Sequence, residues 1–187
     1  MRESTKITKK YQFIYVLLIQ LGASGVAFVF GLVAFWYFMN MKIVKEIISI
    51  IFILVNFAML YIASKKFALL DNKPYTPLKP SLAKGVLFGA VVSVVNVIFV
   101  LLYKLLWAKY GTDAGLSGVL PMIANTAFYY WSFPYNGLMN MDSGAISAYS
   151  VVFMVVMPIA ATTLGYIAGE KKFELAEKLD EFMYEKE

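Results

Sequence analysis

Four long apolar runs, separated by polar segments, dominate the pattern of this chain. They cover residues of about 13–38, 46–64, 85–107 and 147–168, and charged residues occur only at their ends. Each run is long enough to cross a bilayer, because about 20 apolar residues in a helix span the hydrocarbon core. The sequence therefore predicts an all-α integral membrane protein, a four-helix bundle forming a single transmembrane domain over residues 1–187.

A fifth crossing between Leu116 and Tyr130 is the main alternative. That stretch has only about 15 residues and contains Pro121, and a crossing there would place Lys171 and Lys172 on the other side from the remaining lysine-rich segments. We therefore expect four spans. The first run is about twice as long as the apolar part of a secretory signal, which favours an uncleaved span.

The basic residues predict the orientation of the spans. Thirteen of the 17 Lys and Arg lie before the first run, between the second and third, or after the fourth. The other four are Lys42, Lys45, Lys104 and Lys109. Short cytoplasmic segments retain positive charge, so both termini are predicted in the cytoplasm, in a multi-pass protein of the plasma membrane.

Two of the cytoplasmic segments have a pattern of their own. Pro74, Pro77 and Pro80 exclude a regular helix around them, so we expect the connection from Ser64 to Pro80 to run extended. After the fourth span, residues 169–187 are polar with apolar residues at helical spacing, which predicts a cytoplasmic amphipathic tail.

Small residues recur at helical spacing within the apolar runs. Examples on the predicted spans are Gly31, Gly85, Gly89, Gly165 and Gly169. Helices in lipid associate where small residues permit close approach. These glycines are therefore predicted to be the helix packing positions of the bundle.

A few polar side chains also lie within the predicted spans. Gln20, Asn56 and Asn96 are amides that we expect to face inward, because an amide without a partner is costly in hydrocarbon. Pro158 frees a carbonyl in the fourth span, which the Thr162 hydroxyl could satisfy. Two hypotheses remain open: hydrogen bonds between helices, or a polar binding pocket inside the bundle.

The outer segment between the third and fourth spans is rich in aromatic residues. Its candidate surface residues are Tyr129, Tyr130, Trp131 and Tyr135. One interpretation is a belt or short helix at the headgroup level, where amphipathic rings are favoured. The other is an aromatic lid over an outward pocket, or a docking surface for a partner.

Catalytic chemistry has little support in the sequence. Cys and His are absent, and the spans carry no carboxylate pair, no Ser near a base and no charged relay. Asp71 and Asp142 are isolated in sequence. We expect no enzyme activity, no cofactor and no bound metal, and the net charge of +5 requires no nucleic acid because the orientation of the spans explains the lysines.

Residues at the cytoplasmic ends of the spans carry a resemblance. They are Tyr61, Lys65, Lys66, Asp71, Asn72, Lys84, Gly85 and the run Gly165-Tyr166-Ile167-Ala168-Gly169. Over about half of its length, the chain resembles a group of small four-span membrane proteins of low-GC Gram-positive bacteria, a group without an assigned activity. The resemblance implies four spans and no site.

The leading functional hypothesis is a non-enzymatic accessory or scaffold subunit. Its partners would be the lipid bilayer and either another membrane protein or further copies of the chain. The alternative is a small-molecule binding or transport subunit. In size and hydropathy the chain is similar to the substrate-binding subunits of energy-coupling-factor transporters, although those have six spans. A lipid-interacting protein is a third class.

Overall fold

The structure is a computed structural model of the chain. It describes residues 9–38, 41–72, 81–112, 115–116, 118–139 and 146–171. Residues 73–80 of the predicted extended connection, and residues 172–187 of the predicted amphipathic tail, lie outside these residues.

Most of the described residues are helical, and two short strands form the only sheet among them. The long helices are α1 (Lys9–Tyr37), α2 (Lys42–Asp71), α3 (Leu82–Tyr110) and α5 (Ala148–Glu170). Between α3 and α5 lie the strands β1 (Gly111–Thr112) and β2 (Gly115–Leu116), which pair antiparallel, then helix α4 (Val119–Trp131) and a 3₁₀ helix (Phe133–Leu138).

The long helices are apolar and long enough to cross a membrane, whereas α4 is not. With 13 residues, α4 is about 20 Å long at 1.5 Å per residue, short of the roughly 30 Å of hydrocarbon. Among the described residues, the prediction of four helices long and apolar enough to span a membrane is therefore confirmed, as expected of a multi-pass membrane protein.

Hydrogen bonds identify which helix ends lie together. The start of α1, the end of α2, the start of α3 and the end of α5 meet through Gln12, Asp71, Lys84 and Tyr166. We call this the proximal end of the molecule. The opposite, distal end carries the start of α2 and the connections around α4.

Helix α2 continues past the end of its predicted span. It runs through Lys65 and Lys66 to Asp71, where an extended connection was expected from Ser64 onward. The physical reason is that Phe67 and Ala68 continue the buried face of the helix, while the Lys66 side chain is exposed. Lysine stems can lie along apolar surface with the charge in water.

Helix α5 lies between α2 and α3 and packs against both. Gly85 and Gly89 of α3 face Thr162, Tyr166 and Ile159 of α5. On its other side, Gly165 of α5 lies against the backbone of Tyr61 in α2. A glycine lets two helix backbones approach closely, so α5 is held by backbone contact on two sides.

Helix α4 and the 3₁₀ helix form a hairpin that enters the helix assembly from the distal end and returns. Phe128 of α4 stacks on Tyr103, and Trp131 stacks on Phe99, which is further from the distal end of α3. The chain then turns back along α2, where Gly137 lies against Lys45. We call residues Val119–Leu138 the re-entrant hairpin.

The turn of the re-entrant hairpin lies at the middle of the spanning helices. Trp131 bonds to Asn96, which is central in α3, and to Ser24, which is central in α1. Tyr135 bonds to Asn56 in the centre of α2. Irregular backbone is tolerated at this depth only when it is buried in protein or lines a cavity, and Phe133 and Tyr135 are buried.

Side chains of the spanning helices satisfy the backbone of this hairpin. The Ser24 hydroxyl donates to the Trp131 carbonyl at 2.7 Å, and the Gly137 N–H donates to the Ser49 hydroxyl oxygen at 2.7 Å. At the start of the next connection, the Ser147 hydroxyl donates to the Leu138 carbonyl at 2.7 Å. Serines at these positions therefore replace the water that the bilayer lacks.

Candidate functional site

Asn96 is the best-connected amide at mid-depth. Its Nδ2 donates to the Met154 carbonyl at 2.6 Å, and its Oδ1 accepts the indole N–H of Trp131 at 2.6 Å. One side chain thus joins α3, α5 and the re-entrant hairpin. Losing it would leave a donor and an acceptor unpaired in a place without water.

The carbonyl freed by Pro158 is satisfied differently from the expectation. Proline lacks an N–H, so the unpaired acceptor is four residues earlier, at Met154, and Asn96 of α3 donates to it. The Thr162 hydroxyl donates instead to the carbonyls of Pro158, at 2.9 Å, and Gly85, at 2.8 Å. The expectation for Thr162 was wrong because the Met154 carbonyl lies about two helical turns before Thr162, whereas the hydroxyl reaches only the carbonyl one turn earlier in its own helix.

Asn56 and Gln20 are buried but incompletely bonded. Asn56 Nδ2 donates to the Tyr135 hydroxyl at 3.4 Å, and Gln20 Nε2 donates to the Ser24 hydroxyl at 3.4 Å. The amide oxygen of each side chain, Asn56 Oδ1 or Gln20 Oε1, has no hydrogen-bond partner among the residues that the structure describes. These two oxygens are free acceptors at mid-depth.

The aromatic residues predicted on an outer surface lie largely inside the protein. Trp131 is 8% exposed and Tyr135 is 1% exposed, and both are hydrogen-bonded to mid-span amides. Tyr129 and Tyr130 are half-buried. The surface assignment of Trp131 and Tyr135 is therefore corrected, because amides buried in the spans supply partners for the indole and phenol groups.

Ring contacts fix the hairpin against α1. Phe28 contacts the rings of Tyr130 and Phe133, each at 5.3 Å between centroids. Gly31 of α1 leaves the space that the Phe133 ring occupies. Among the five predicted packing glycines, Gly31 thus faces the hairpin, whereas Gly85, Gly89, Gly165 and Gly169 lie where α5 meets α3 and α2.

A second polar group, the proximal hub, consists of Gln12, Asp71, Lys84 and Tyr166. Asp71 is 3% exposed. Its Oδ2 accepts from Lys84 Nζ at 2.6 Å and from the Tyr166 hydroxyl at 2.8 Å, and its Oδ1 accepts from Gln12 Nε2 at 2.9 Å. The Ser81 N–H donates to the Tyr166 oxygen at 3.3 Å. All four spanning helices therefore meet at one carboxylate.

The proximal hub corrects the interpretation of Asp71 as isolated, because Lys84 pairs with it. The pairing of Asp71 with Lys84 cannot be predicted from neighbouring positions in the sequence, because a connection with three prolines separates the two residues. A signal did exist: Ala63, Phe67 and Asp71 follow one another at four-residue steps, so Asp71 continues the buried stripe of α2.

The proximal hub has the chemistry of a structural ion pair. Both carboxylate oxygens accept hydrogen bonds, and the charge of Asp71 is balanced by Lys84, whose side chain is 12% exposed. A buried charge is tolerated when it is paired and hydrogen-bonded. Among the described residues, no group of three or more His, Cys, Asp or Glu is placed to hold a metal ion.

An apolar cavity of about 740 Å³ lies beside the re-entrant hairpin, between α1, α3 and α4. One face of α4 forms most of its wall. The lining residues are Leu21, Phe99, Val119, Met122, Ile123, Thr126, Ala127, Tyr130 and Trp131. We call it the lateral cavity.

Comparison of the chain with protein-family models, with curated proteins and with solved structures finds no match.

Proposed function

We propose that the protein is a non-enzymatic accessory or scaffold subunit that binds other membrane proteins through its lateral surface. The observation that carries this proposal is the seating of Trp131 and Tyr135 between the mid-span amides. The two rings occupy the space beside Asn56 and Asn96, where the alternative hypothesis placed a polar binding pocket. Both oxygens of Asp71 are also occupied, which supports binding at the perimeter rather than chemistry within.

The perimeter near α4 has two features that suit a partner helix. Leu120 on α4 is 73% exposed, and α4 covers only part of the span. On α1, Gly22 is exposed, and a Cβ placed there would meet no atom within 4 Å. Because exposed small residues permit close helix approach in lipid, these two features support docking of a partner helix here.

Site-specific photocrosslinking tests the proposal. A benzophenone amino acid at Leu120 should give a discrete crosslinked protein in native membranes, and the same group at Ile62 should not. Ile62 is the matched control because it is 63% exposed and lies on α2. The captured protein, tagged in turn, should co-purify the chain. A crosslinked dimer would identify the partner as a second copy, and lipid adducts alone at both positions would contradict the proposal.

We also propose that the chain resides in the plasma membrane with the proximal end in the cytoplasm, as a four-helix bundle. Thirteen of the 17 basic residues lie before the first apolar run, between the second and third, or after the fourth, which supports this orientation through the retention of positive charge. The amphipathic tail at 169–187 stays a prediction. So does the resemblance to the small four-span proteins, three of whose residues, Asp71, Lys84 and Tyr166, belong to the proximal hub.

A second candidate function is binding or transport of a small polar molecule. The free acceptors Gln20 Oε1 and Asn56 Oδ1 favour it, because buried polar atoms without partners are uncommon. Such a molecule would need the re-entrant hairpin to move, since Tyr135 contacts Asn56. Mass spectrometry of molecules that co-purify with the wild type, but not with Asn56→Leu, would support this function. Identical spectra for both proteins would oppose it.

A further inference from the structure

We propose that the lateral cavity is a binding site for a single acyl chain of a membrane lipid. This inference does not depend on a protein partner. It concerns the face of α4 that lines the cavity with Leu21 of α1 and Phe99 of α3, whereas the proposed docking position Leu120 does not line the cavity.

The chemistry of the cavity wall selects an apolar occupant. Six lining residues of α4, from Val119 to Tyr130, follow the helical steps of three and four that place side chains on one face. Leu21 of α1 and Phe99 of α3 form the opposite walls. The Thr126 hydroxyl already donates to the Met122 carbonyl at 2.9 Å. Water would find few partners here, because a buried water molecule requires two to four.

At the depth of the cavity, the surroundings of the protein are the hydrocarbon chains of the lipid. Trp131, which lines the cavity, is hydrogen-bonded to Asn96 in the middle of α3. At this level of a spanning helix the solvent is lipid chains. An empty cavity would forgo the dispersion contacts of its wall, and a chain can enter sideways without crossing water.

The size of the cavity and the distribution of its lining residues favour a chain over a partner helix. Its volume of about 740 Å³ falls within the roughly 300–1,000 Å³ of ligand sites. Seven of its nine lining residues belong to α4, and one each to α1 and α3. It therefore offers no continuous face on α1 or α3 to a partner helix about 10–12 Å across. A flexible chain that is one carbon wide fits between α1, α3 and α4.

Trp131 provides a built-in reporter. With Trp36 and Trp107 replaced by Phe, the single remaining indole lines the cavity. After reconstitution into phosphatidylcholine brominated on its acyl chains, we expect strong quenching of Trp131 fluorescence relative to the unbrominated lipid. The quenching should occur even though Trp131 is 8% exposed, because the bromine atoms enter the cavity.

Ala127→Phe in the same background should remove most of this quenching, because the new ring fills the cavity from an exposed position of α4. Ala148→Phe is the matched control: Ala148 is exposed at the start of α5 and does not line the cavity, so quenching should stay at the level of the parent. Equal quenching in the parent and in Ala127→Phe would overturn the proposal, because it would show that lipid reaches Trp131 by another route.

Native mass spectrometry of the unsubstituted protein gives a second test, which does not require any variant to fold. We expect one phospholipid to persist after detergent removal. A protein without lipid, or a dimer that protects Trp131 from brominated chains, would overturn the proposal.

Discussion

At the scale of the residue, the amides differ in a way that their sequence positions do not reveal. Gln20, Asn56 and Asn96 look alike as single polar residues within apolar runs. In the structure Asn96 makes two bonds of 2.6 Å, whereas Asn56 makes one of 3.4 Å. The difference arises because Asn96 lies beside the carbonyl freed by Pro158 and beside the indole of Trp131, and both neighbours come from distant parts of the chain.

Asn96→Leu should destabilise the protein more than Asn56→Leu. The first change leaves the Trp131 N–H and the Met154 carbonyl unpaired, at about 1–3 kcal/mol for each group. The second removes one long bond, for which about 0.6 kcal/mol is typical within membranes. Unfolding curves in mixed detergent would measure both, and an equal loss of stability would argue against the assigned bonding.

Asp71→Asn should lower the free energy of unfolding by about 3–5 kcal/mol, because it leaves Lys84 buried without its charge partner. The double variant Asp71→Asn with Lys84→Met should recover part of this loss, since an apolar replacement of the whole ion pair is often close to neutral.

Glu46→Gln is the control for loss of a carboxylate. Glu46 pairs with Lys42 at 3.9 Å on one helix, and the Lys42 side chain is 73% exposed, so its loss should change stability by less than about 1 kcal/mol. If Asp71→Asn were as mild as Glu46→Gln in the same unfolding assay, the proximal hub would not hold the helices together.

At the scale of the element, α5 and the re-entrant hairpin determine the architecture. Helix α5 packs closely against its neighbours at two glycines: Gly89 of α3 lies against Ile159 of α5, and Gly165 of α5 lies against Tyr61 of α2. The hairpin fills the distal half, where Phe128, Tyr135 and Leu138 join Ile53 and Met154 in one apolar cluster. Helix α4 has 13 residues and ends at mid-depth. It is stable there because the Ser24 hydroxyl donates to the Trp131 carbonyl and Asn96 accepts the Trp131 indole N–H.

Gly89→Ala should destabilise the contact between α3 and α5 by about 1–3 kcal/mol, since the added Cβ would collide with the backbone of Ile159. Gly22→Ala is the matched control. It adds the same methyl group to a helix where no atom lies within 4 Å, so stability should hold or rise by up to about 1 kcal/mol. Thermal unfolding in detergent would compare the two, and equal effects would contradict the described packing.

At the scale of the whole molecule, the two ends differ in how they are built. The proximal end is joined by an ion pair and three further hydrogen bonds around Asp71 and Tyr166. The distal end is joined by aromatic rings of the re-entrant hairpin. Together with the positions of the basic residues in the sequence, this difference between the ends allows a direct test of orientation.

The absence of Cys from the chain makes single-cysteine labelling straightforward. Lys109→Cys, exposed in the last turn of α3 at the distal end, should react with a membrane-impermeant maleimide in intact cells. Lys171→Cys, at the end of α5, should react only after permeabilisation. The reverse pattern would place the proximal end outside and would contradict the orientation proposed from the lysines.

The sequence by itself determined the number of spanning helices, because apolar length is read directly against the thickness of hydrocarbon. It also singled out the glycines that lie at helix contacts and the amides that lie inside. It did not reveal the re-entrant hairpin, since aromatic residues such as Trp131 and Tyr135 suit a membrane interface and a buried core equally well.

Only the tertiary structure decided which polar groups meet. Asp71 and Lys84 come together across three prolines, and Trp131 reaches Asn96 from 35 residues away. The physical reason is that polar pairing in lipid is a property of neighbours in space. Periodicity along one helix predicts which face is buried, but the partner on that face is set by how the other helices pack.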